Sequence, residues 1–440
     1  MTAAQAASAP APMAFADVCR AVEPLLPAEP EAQKRAIIGY PDAVERFKGE
    51  IANILDAQGL RGTFAVPPWY ETEEEAVFEE VWGKAGLAEW WKPPYDASPS
   101  AKVIGDDVYF LVDGRMQKMP QRIPAHRRQQ LIRAILLRTP GERLDRDFHE
   151  VYLLDGCRVT VFKGALAKAG RDVIIFRRYI VPEYTFAEQA QRGTIPAEAI
   201  PLFEAMVRVG YNVVFCGSVR SAKTTFLSTW QRLEDPALEG VMVETDPEIP
   251  LHRLMPGAPI VQLVCDGERL AHVSRNLLRS DADYFILAEA RDGIALDMAV
   301  RVARKGTGRM KMTYHTRDPL AFPEDAAVEI VRSLGGDVRE TALRVAGSFD
   351  YLFHFASLPG GAKRLKGIYE MGVRAAGPSA ERSWHLHAIC RHDQARDAWI
   401  WNNNISPDKR LRGEEGDPAA FAAFASTLAA LAAPQPEARP

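Results

Sequence analysis

The sequence predicts an α/β protein whose largest part is a mostly parallel sheet, preceded by a smaller α/β region and a small helical one. After Pro196, short apolar runs alternate with amphipathic stretches of helix length, which is how strands covered on both faces read. Between Val108 and Phe176, shorter strand-like runs flank a polar helical stretch, and before Trp91 the apolar spacing is helical. A chain of 440 residues exceeds one ordinary core, and 47% hydrophobic with 25% charged residues are globular proportions.

Residues 1–15 are rich in Ala and Pro and carry no Lys or Arg ahead of a weak apolar stretch, so they are expected to be a disordered tail rather than a secretory signal. Residues 16–92 form the helical region. There Thr72-Glu73-Glu74-Glu75 is a capping box, and Phe78, Val81 and Trp82 line one helix face, with Trp90 and Trp91 expected to close the bundle. The turn formers from Pro93 to Ser100 end all periodicity and mark a boundary. An α/β region over 101–190 follows, with strands at Val108–Val112, Arg158–Phe162 and Val173–Phe176 and a helix over 122–137. The third region, 196–432, has its strand runs at Asn212–Cys216, Val241–Val243, Ile260–Cys265, Tyr284–Ala288, Met310–Tyr314 and Tyr351–Phe355. Asp417 and Pro418 then open a helix with Phe421, Phe424, Leu428 and Leu431 on one face, before a Pro-rich tail over 433–440. The sequence contains no internal repeat.

Composition removes several classes of function. Cys19, Cys157, Cys216, Cys265 and Cys390 are far apart and form no CxxC pair, which argues against a disulfide framework and a thiolate zinc site and fits reduced cytosol. A net charge of −4 creates no general field for nucleic acid. No apolar run approaches the length of a membrane span.

Gly217-Ser218-Val219-Arg220-Ser221-Ala222-Lys223-Thr224-Thr225 lies between a strand and a helix bearing Phe226, Leu227 and Trp230. Polyphosphate binding needs backbone N–H groups aimed inward, a helix N-terminus, an ammonium on the β/γ oxygens and a hydroxyl on magnesium. This order of residues supplies all four, with Lys223 and Thr224 in the last two roles. It departs from G-x-x-x-x-G-K-[ST] at Ala222, which adds a methyl where a glycine is the rule. An ordinary strand-to-helix loop with a surface lysine is the bland alternative. The expectation is therefore a P-loop NTPase fold using ATP and Mg.

An acid at the C-terminal end of a buried parallel strand stands in the ligand crevice. Two strands end this way: Val243-Glu244-Thr245-Asp246-Pro247-Glu248, with Glu244 as base for an attacking water, and Ala288-Glu289-Ala290-Arg291, with Glu289 holding magnesium. Taken singly, each could equally be a solvated strand-end acid. His315, ending Thr313-Tyr314-His315, is either a γ-phosphate sensor or a partly buried structural histidine. Arg301, Arg304, Lys305, Arg309, Lys311 and Arg317 concentrate positive charge, more in keeping with a solvated or subunit-contact face than with nucleic-acid binding. His385 and His387 share one side of a strand, but the sequence near them offers no third metal ligand.

Together these stretches resemble the type II/type IV secretion and pilus-assembly ATPase superfamily, nearest its Tad/Flp pilus and type IV secretion branch, from about Gly141 to Glu370. Gly217 to Thr225 resembles the family's Walker A loop, in RecA-like surroundings, Glu244 to Ile249 its Asp box, and Ala288 to Arg291 its G-E-x-R Walker B. Asp297 falls on its following helix acid and His315 on the last histidine of its His box. Asp155 to Val159 and Arg177-Arg178-Tyr179 resemble the elements whose arginines fold over the phosphates, which brings in Arg158 and Arg177. By themselves those two read as surface ion-pair residues.

The resemblance implies a homohexameric motor, cytoplasmic and peripheral at the inner membrane, whose partner is an inner-membrane platform protein. Mg-ATP hydrolysis would drive domain motion for pilin assembly or substrate export. Ala222, Ala288, Thr245 and Thr307 depart from the family pattern, so a slow or inactive nucleotide-binding regulator is the alternative. A conjugation-type DNA-transfer ATPase is the third reading, suggested by the basic concentration. The tetracysteine zinc module of the type II branch is missing.

Overall fold

Every strand among the described residues belongs to one of two sheets, one in each of two separately packed units, 1–180 and 181–440. The computed structural model describes residues 13–139, 141–178, 183–265, 267–304, 308–374 and 381–433. Most of both expected tails, and Tyr179, Lys305 and Thr307, lie outside them.

In the first unit the helices Phe15–Val22, Pro30–Ile38, Pro41–Ala57 and Glu73–Val81 share a core of Val18, Phe47, Ile51, Leu55 and Phe78. The first helix begins at Phe15, one residue inside the expected tail. Thr72 caps the last of these helices by accepting from the Glu75 N–H at 3.2 Å, but the Glu75 carboxylate reaches back one residue further than a capping box requires, to the Glu71 N–H at 2.8 Å. Trp90 does not close this bundle. The 3₁₀ turn Ala85–Trp91 turns its ring, fully buried, into the core beneath the sheet, beside Phe176 at 6.3 Å between ring centres and under the Arg178 guanidinium at 3.9 Å.

That sheet is antiparallel, with β1 (Ser100–Ile104), β2 (Asp107–Val112), β3 (Arg115–Arg122), β4 (Phe148–Tyr152), β5 (Arg158–Phe162) and β6 (Val173–Arg177) in the order β3-β2-β1-β6-β5-β4. The helix Ala125–Leu136 starts later than expected because Arg115–Arg122 pairs with β2. β3 and β4 are edge strands; β3 is almost wholly exposed, so it lacks the apolar alternation that marks a strand in sequence.

In the second unit, β7 (Val213–Gly217), β8 (Gly240–Glu244), β9 (Ile260–Val264), β10 (Tyr284–Ala288), β11 (Lys311–Tyr314) and β12 (Tyr351–Ser357) are the six expected runs, paired in parallel in the order β12-β7-β11-β10-β8-β9. β13 (Lys363–Arg374), β14 (Ser383–Asp393) and β15 (Ala398–Trp401) extend the sheet antiparallel from β12. Alternate residues of β7 enter opposite cores: Val213 and Phe215 pack with Phe226, Trp230 and Phe353, while Val214 and Cys216 pack with Val241, Leu287 and Met312. Phe226 stands 5.4 Å from Phe215 and 4.9 Å from Phe355 between ring centres. Loss of such a buried ring costs about 3–5 kcal/mol, so it pins the helix that follows the loop. The helix Pro418–Ala432 is capped by Asp417, which accepts from the Ala420 N–H at 2.8 Å, and buries Phe421, Phe424 and Leu428 as expected. No helix among the described residues is long and apolar enough to cross a membrane.

Candidate functional site

Four adjacent parallel strands, β7, β11, β10 and β8, deliver the ends Gly217, Tyr314, Ala288 and Glu244 to one edge of the sheet, the edge where ligands of open α/β sheets sit. Gly217 has φ 146°, and a Cβ there would stand 2.0 Å from the carbonyl oxygen of Phe355 on the neighbouring strand, so only glycine fits. The loop turns through left-handed residues, Arg220 at φ 59° and Ala222 at φ 80°, and the helix Lys223–Gln231 begins directly after it. Ala222 thus keeps the backbone conformation that glycine takes at ease. Val219 and Arg220 are exposed and Ser218 partly so, whereas Ser221 is buried with an Oγ that has no hydrogen-bond partner, the kind of donor a phosphate satisfies.

A left-handed residue with a Cβ costs roughly 1–2 kcal/mol, offset in part by the greater freedom of glycine in the unfolded chain, roughly 0.4–1 kcal/mol. Ala222→Gly is therefore expected to raise the denaturation midpoint by the equivalent of about 0.5–1 kcal/mol; a lowered midpoint would contradict the strain assigned here.

Lys223 is 5% exposed, and its ammonium donates to the carbonyls of Gly217 at 3.1 Å and Ser218 at 2.8 Å. It also lies 3.3 Å from Nδ1 of His315, whose Nε2 is 2.9 Å from Oε1 of Glu289. An ammonium facing Nδ1 and a carboxylate facing Nε2 favour the tautomer that carries its proton at Nε2. Burial pulls the Lys223 ammonium down to about 8, against the opposing charges of Glu289 and Glu248. Glu289 sits at φ 68°, a strained conformation held by Thr313, whose hydroxyl accepts the Glu289 N–H at 2.7 Å and whose carbonyl accepts the Ala290 N–H at 3.2 Å. Burial raises the Glu289 carboxyl, but His315 and the paired Arg291 guanidinium outweigh it and hold it below the usual range.

Glu244, at the end of β8, and Glu248, four residues on, divide their work. Oε1 of Glu244 accepts the N–H groups of Glu248 and Ile249, both at 3.0 Å, and so shapes the turn that follows the strand. Burial raises its carboxyl to about 8. Glu248 instead accepts the Thr224 hydroxyl at 3.2 Å, and burial with the nearby charge of Glu289 raises it to about 7. Reading the chain missed Glu248 and Thr313. Glu248 was visible as the third acid of the same segment, after Glu244 and Asp246, but which acid turns toward the loop depends on the path of the turn. Thr225, next to Thr224 in the helix, has its backbone carbonyl bonded by the Thr229 hydroxyl at 3.0 Å.

Other residues singled out in the sequence lie elsewhere. Asp297 is 7% exposed and pairs with Arg301 at 2.6 Å and Arg344 at 3.8 Å. Arg309 and Lys311 do not form an open basic face: both pair with the buried Glu234, at 2.5 and 2.7 Å, and Lys311 is fully buried. Arg158 and Arg177 belong to the first unit, cross-strand neighbours on β5 and β6, with Arg158 bonded to Glu150 at 2.6 Å.

A parallel sheet that places a strand, a glycine-initiated loop, a helix opening on lysine and threonine, and acids on adjacent strand ends in one crevice is the fold of a P-loop nucleotide-binding protein. No family model and no curated protein matches the chain. Among solved structures it is similar to the ATPase DotB of Legionella pneumophila, at 16% identity and a TM-score of 0.44 over 76% of this chain and 84% of that one. It is likewise similar to the pilus retraction motor PilT with bound ADP, at 14% and 0.46 over 74% and 85%. The VirB11 ATPase of the Brucella suis type IV secretion system, in complex with sulphate, matches at 18% and 0.35 over 64% and 95%.

Proposed function

We propose that the chain is an ATPase of the secretion and pilus-assembly kind, which hydrolyses Mg-ATP and passes the resulting motion to a partner at the inner membrane. One observation carries the catalytic part: Lys223, His315 and Glu289 form a hydrogen-bonded row beside the Thr224–Glu248 pair at a single sheet edge. The loop from Gly217 to Thr225 and the Lys223 ammonium hold the phosphates, while Thr224 and Glu289 would hold magnesium, which would supply charge neutralisation on the phosphate oxygens. Glu248 takes the proton of the attacking water, since its carboxylate faces the loop and titrates near neutrality, whereas Glu244 is committed to two amides. His315 reports on the phosphates by exchanging its bond to Lys223, and Arg291 fixes the Glu289 carboxylate. Arg158 and Arg177 are assigned to phosphate neutralisation on the sequence resemblance alone. The same resemblance supports a homohexamer, an inner-membrane platform partner, and a cytoplasmic, peripheral location.

Magnesium-dependent phosphate release from ATP by the purified chain, above the rate of Lys223→Ala, tests this reading. Nucleotide binding without such release would favour the regulator. The internal pairing of Arg309 and Lys311 with Glu234 speaks against the DNA-transfer reading.

The pH profile is an independent check. Glu248 must be ionised to accept a proton and Lys223 protonated to bind phosphate, so kcat/KM should rise with pH through about 7 and fall through about 8, a narrow bell. Bound triphosphate favours the Lys223 ammonium, so the kcat profile should extend further to the alkaline side. A kcat/KM that is flat from about pH 6 to about pH 9 would remove one or both groups from these roles.

A further inference from the structure

The His385-x-His387 pair, which had no third ligand in the sequence, acquires one from the neighbouring strand. In the antiparallel register of β13 and β14, Glu370 lies opposite His387 and Gly372 opposite His385, so the carboxylate and both imidazoles project from one face of the sheet. One ligand atom from each of Glu370, His385 and His387 lies within 4.8 Å of the others. We propose that these three side chains bind a divalent transition-metal ion of the zinc class, tying β13 to β14 at a place distinct from the phosphate loop.

Three observations support a built site. Glu370 is fully buried, yet its contacts are neutral donors, the Tyr351 hydroxyl at 3.3 Å and the Ser406 N–H at 3.2 Å, beside His387 Nε2 at 3.7 Å. A buried carboxylate is costly without a cation, and the side chains of Lys409 and Arg412 pair with Asp350 at 2.9 and 3.0 Å instead. The second observation is His385, whose Nδ1 is buried without a hydrogen-bond partner, and which has room only because residue 372 is glycine: a Cβ there would stand 2.9 Å from its Cε1. Third, the rings of His385 and His387 are stacked nearly parallel, 10° apart with centres at 5.8 Å, so the two imidazoles stand side by side on one face of the sheet.

Zinc bonds of about 2.0–2.2 Å require the three atoms to draw closer, which a small rotation of two half-buried imidazoles supplies. Two imidazoles and one carboxylate suit zinc, cobalt or nickel rather than magnesium or calcium. The Tyr351 hydroxyl orients the carboxylate from the far side, as an outer-shell partner does. His387 Nε2 donates to the backbone carbonyl of Asn404 at 2.8 Å, a bond that a metal ion on that nitrogen would replace.

The test is cobalt(II) titration of the full chain after chelator treatment, in excess magnesium so that oxygen-rich sites are occupied, with zinc competition to confirm one shared site. One equivalent with tetrahedral visible absorption is expected, displaced by zinc, with affinity falling at least about tenfold in His385→Ala, His387→Gln and Glu370→Gln. Thermal midpoints in chelator establish that each variant folds; His385 and His387 are partly exposed, so at least one of their variants provides a folded comparison. No cobalt bound by the wild-type chain, or equal binding in the folded histidine variants, would overturn the proposal and leave only a Glu370–His387 contact in its place.

Discussion

Glu248→Gln is expected to lower the maximal rate of ATP hydrolysis by about 10²–10⁴-fold, the contribution of a positioned general base, while nucleotide affinity changes little. The amide keeps the size of the side chain and can still accept the Thr224 hydroxyl bond of 3.2 Å, so the loop should stay intact while proton acceptance is lost. Glu244→Gln makes the contrast. Its remaining carbonyl can still receive the N–H groups of Glu248 and Ile249, so the turn persists and the rate should fall by less than about tenfold. Initial rates under saturating Mg-ATP, with calorimetric affinities for ATP and ADP, separate the two acids. A larger loss at Glu244 would return the base to that residue.

Lys223→Ala is expected to remove detectable turnover and weaken ATP affinity by roughly 10–100-fold, the value of about 1.5–3 kcal/mol for hydrogen bonds to a charged group. The residue is 5% exposed and its ammonium serves the Gly217 and Ser218 carbonyls and His315 together, so no mobile surface lysine can replace it. The same burial means that alanine leaves acceptors unsatisfied, at about 1–3 kcal/mol, and the variant's thermal midpoint belongs beside its kinetics. Affinity and turnover both unchanged from wild type would end the phosphate-loop reading, because no other cation in the loop is buried: Arg220 is exposed. A variant that binds as tightly yet turns over slowly would reassign Lys223 to the transition state alone.

What the sequence determined by itself is what local chemistry controls. The runs β7 to β12 were legible because strands covered on both faces must be continuously apolar, and the loop from Gly217 to Thr225 because a phosphate cradle needs its residue types in consecutive order. The helix after Asp417 carried both its cap and its apolar stripe in a few residues. Only the tertiary structure decided the rest. β3 is an edge strand with no buried face to impose a pattern, and Trp90 left its neighbouring helices because a 3₁₀ turn redirected it. The choice between Glu244 and Glu248 rested on the path of one turn, and the union of Lys223, His315 and Glu289 on the parallel register of strands far apart in the chain. Glu370 came to His387 through strand pairing, and Arg309 and Lys311 came to Glu234 through packing. Residues distant in sequence meet only through backbone hydrogen bonds and burial summed over whole elements, which no short window of residue types contains.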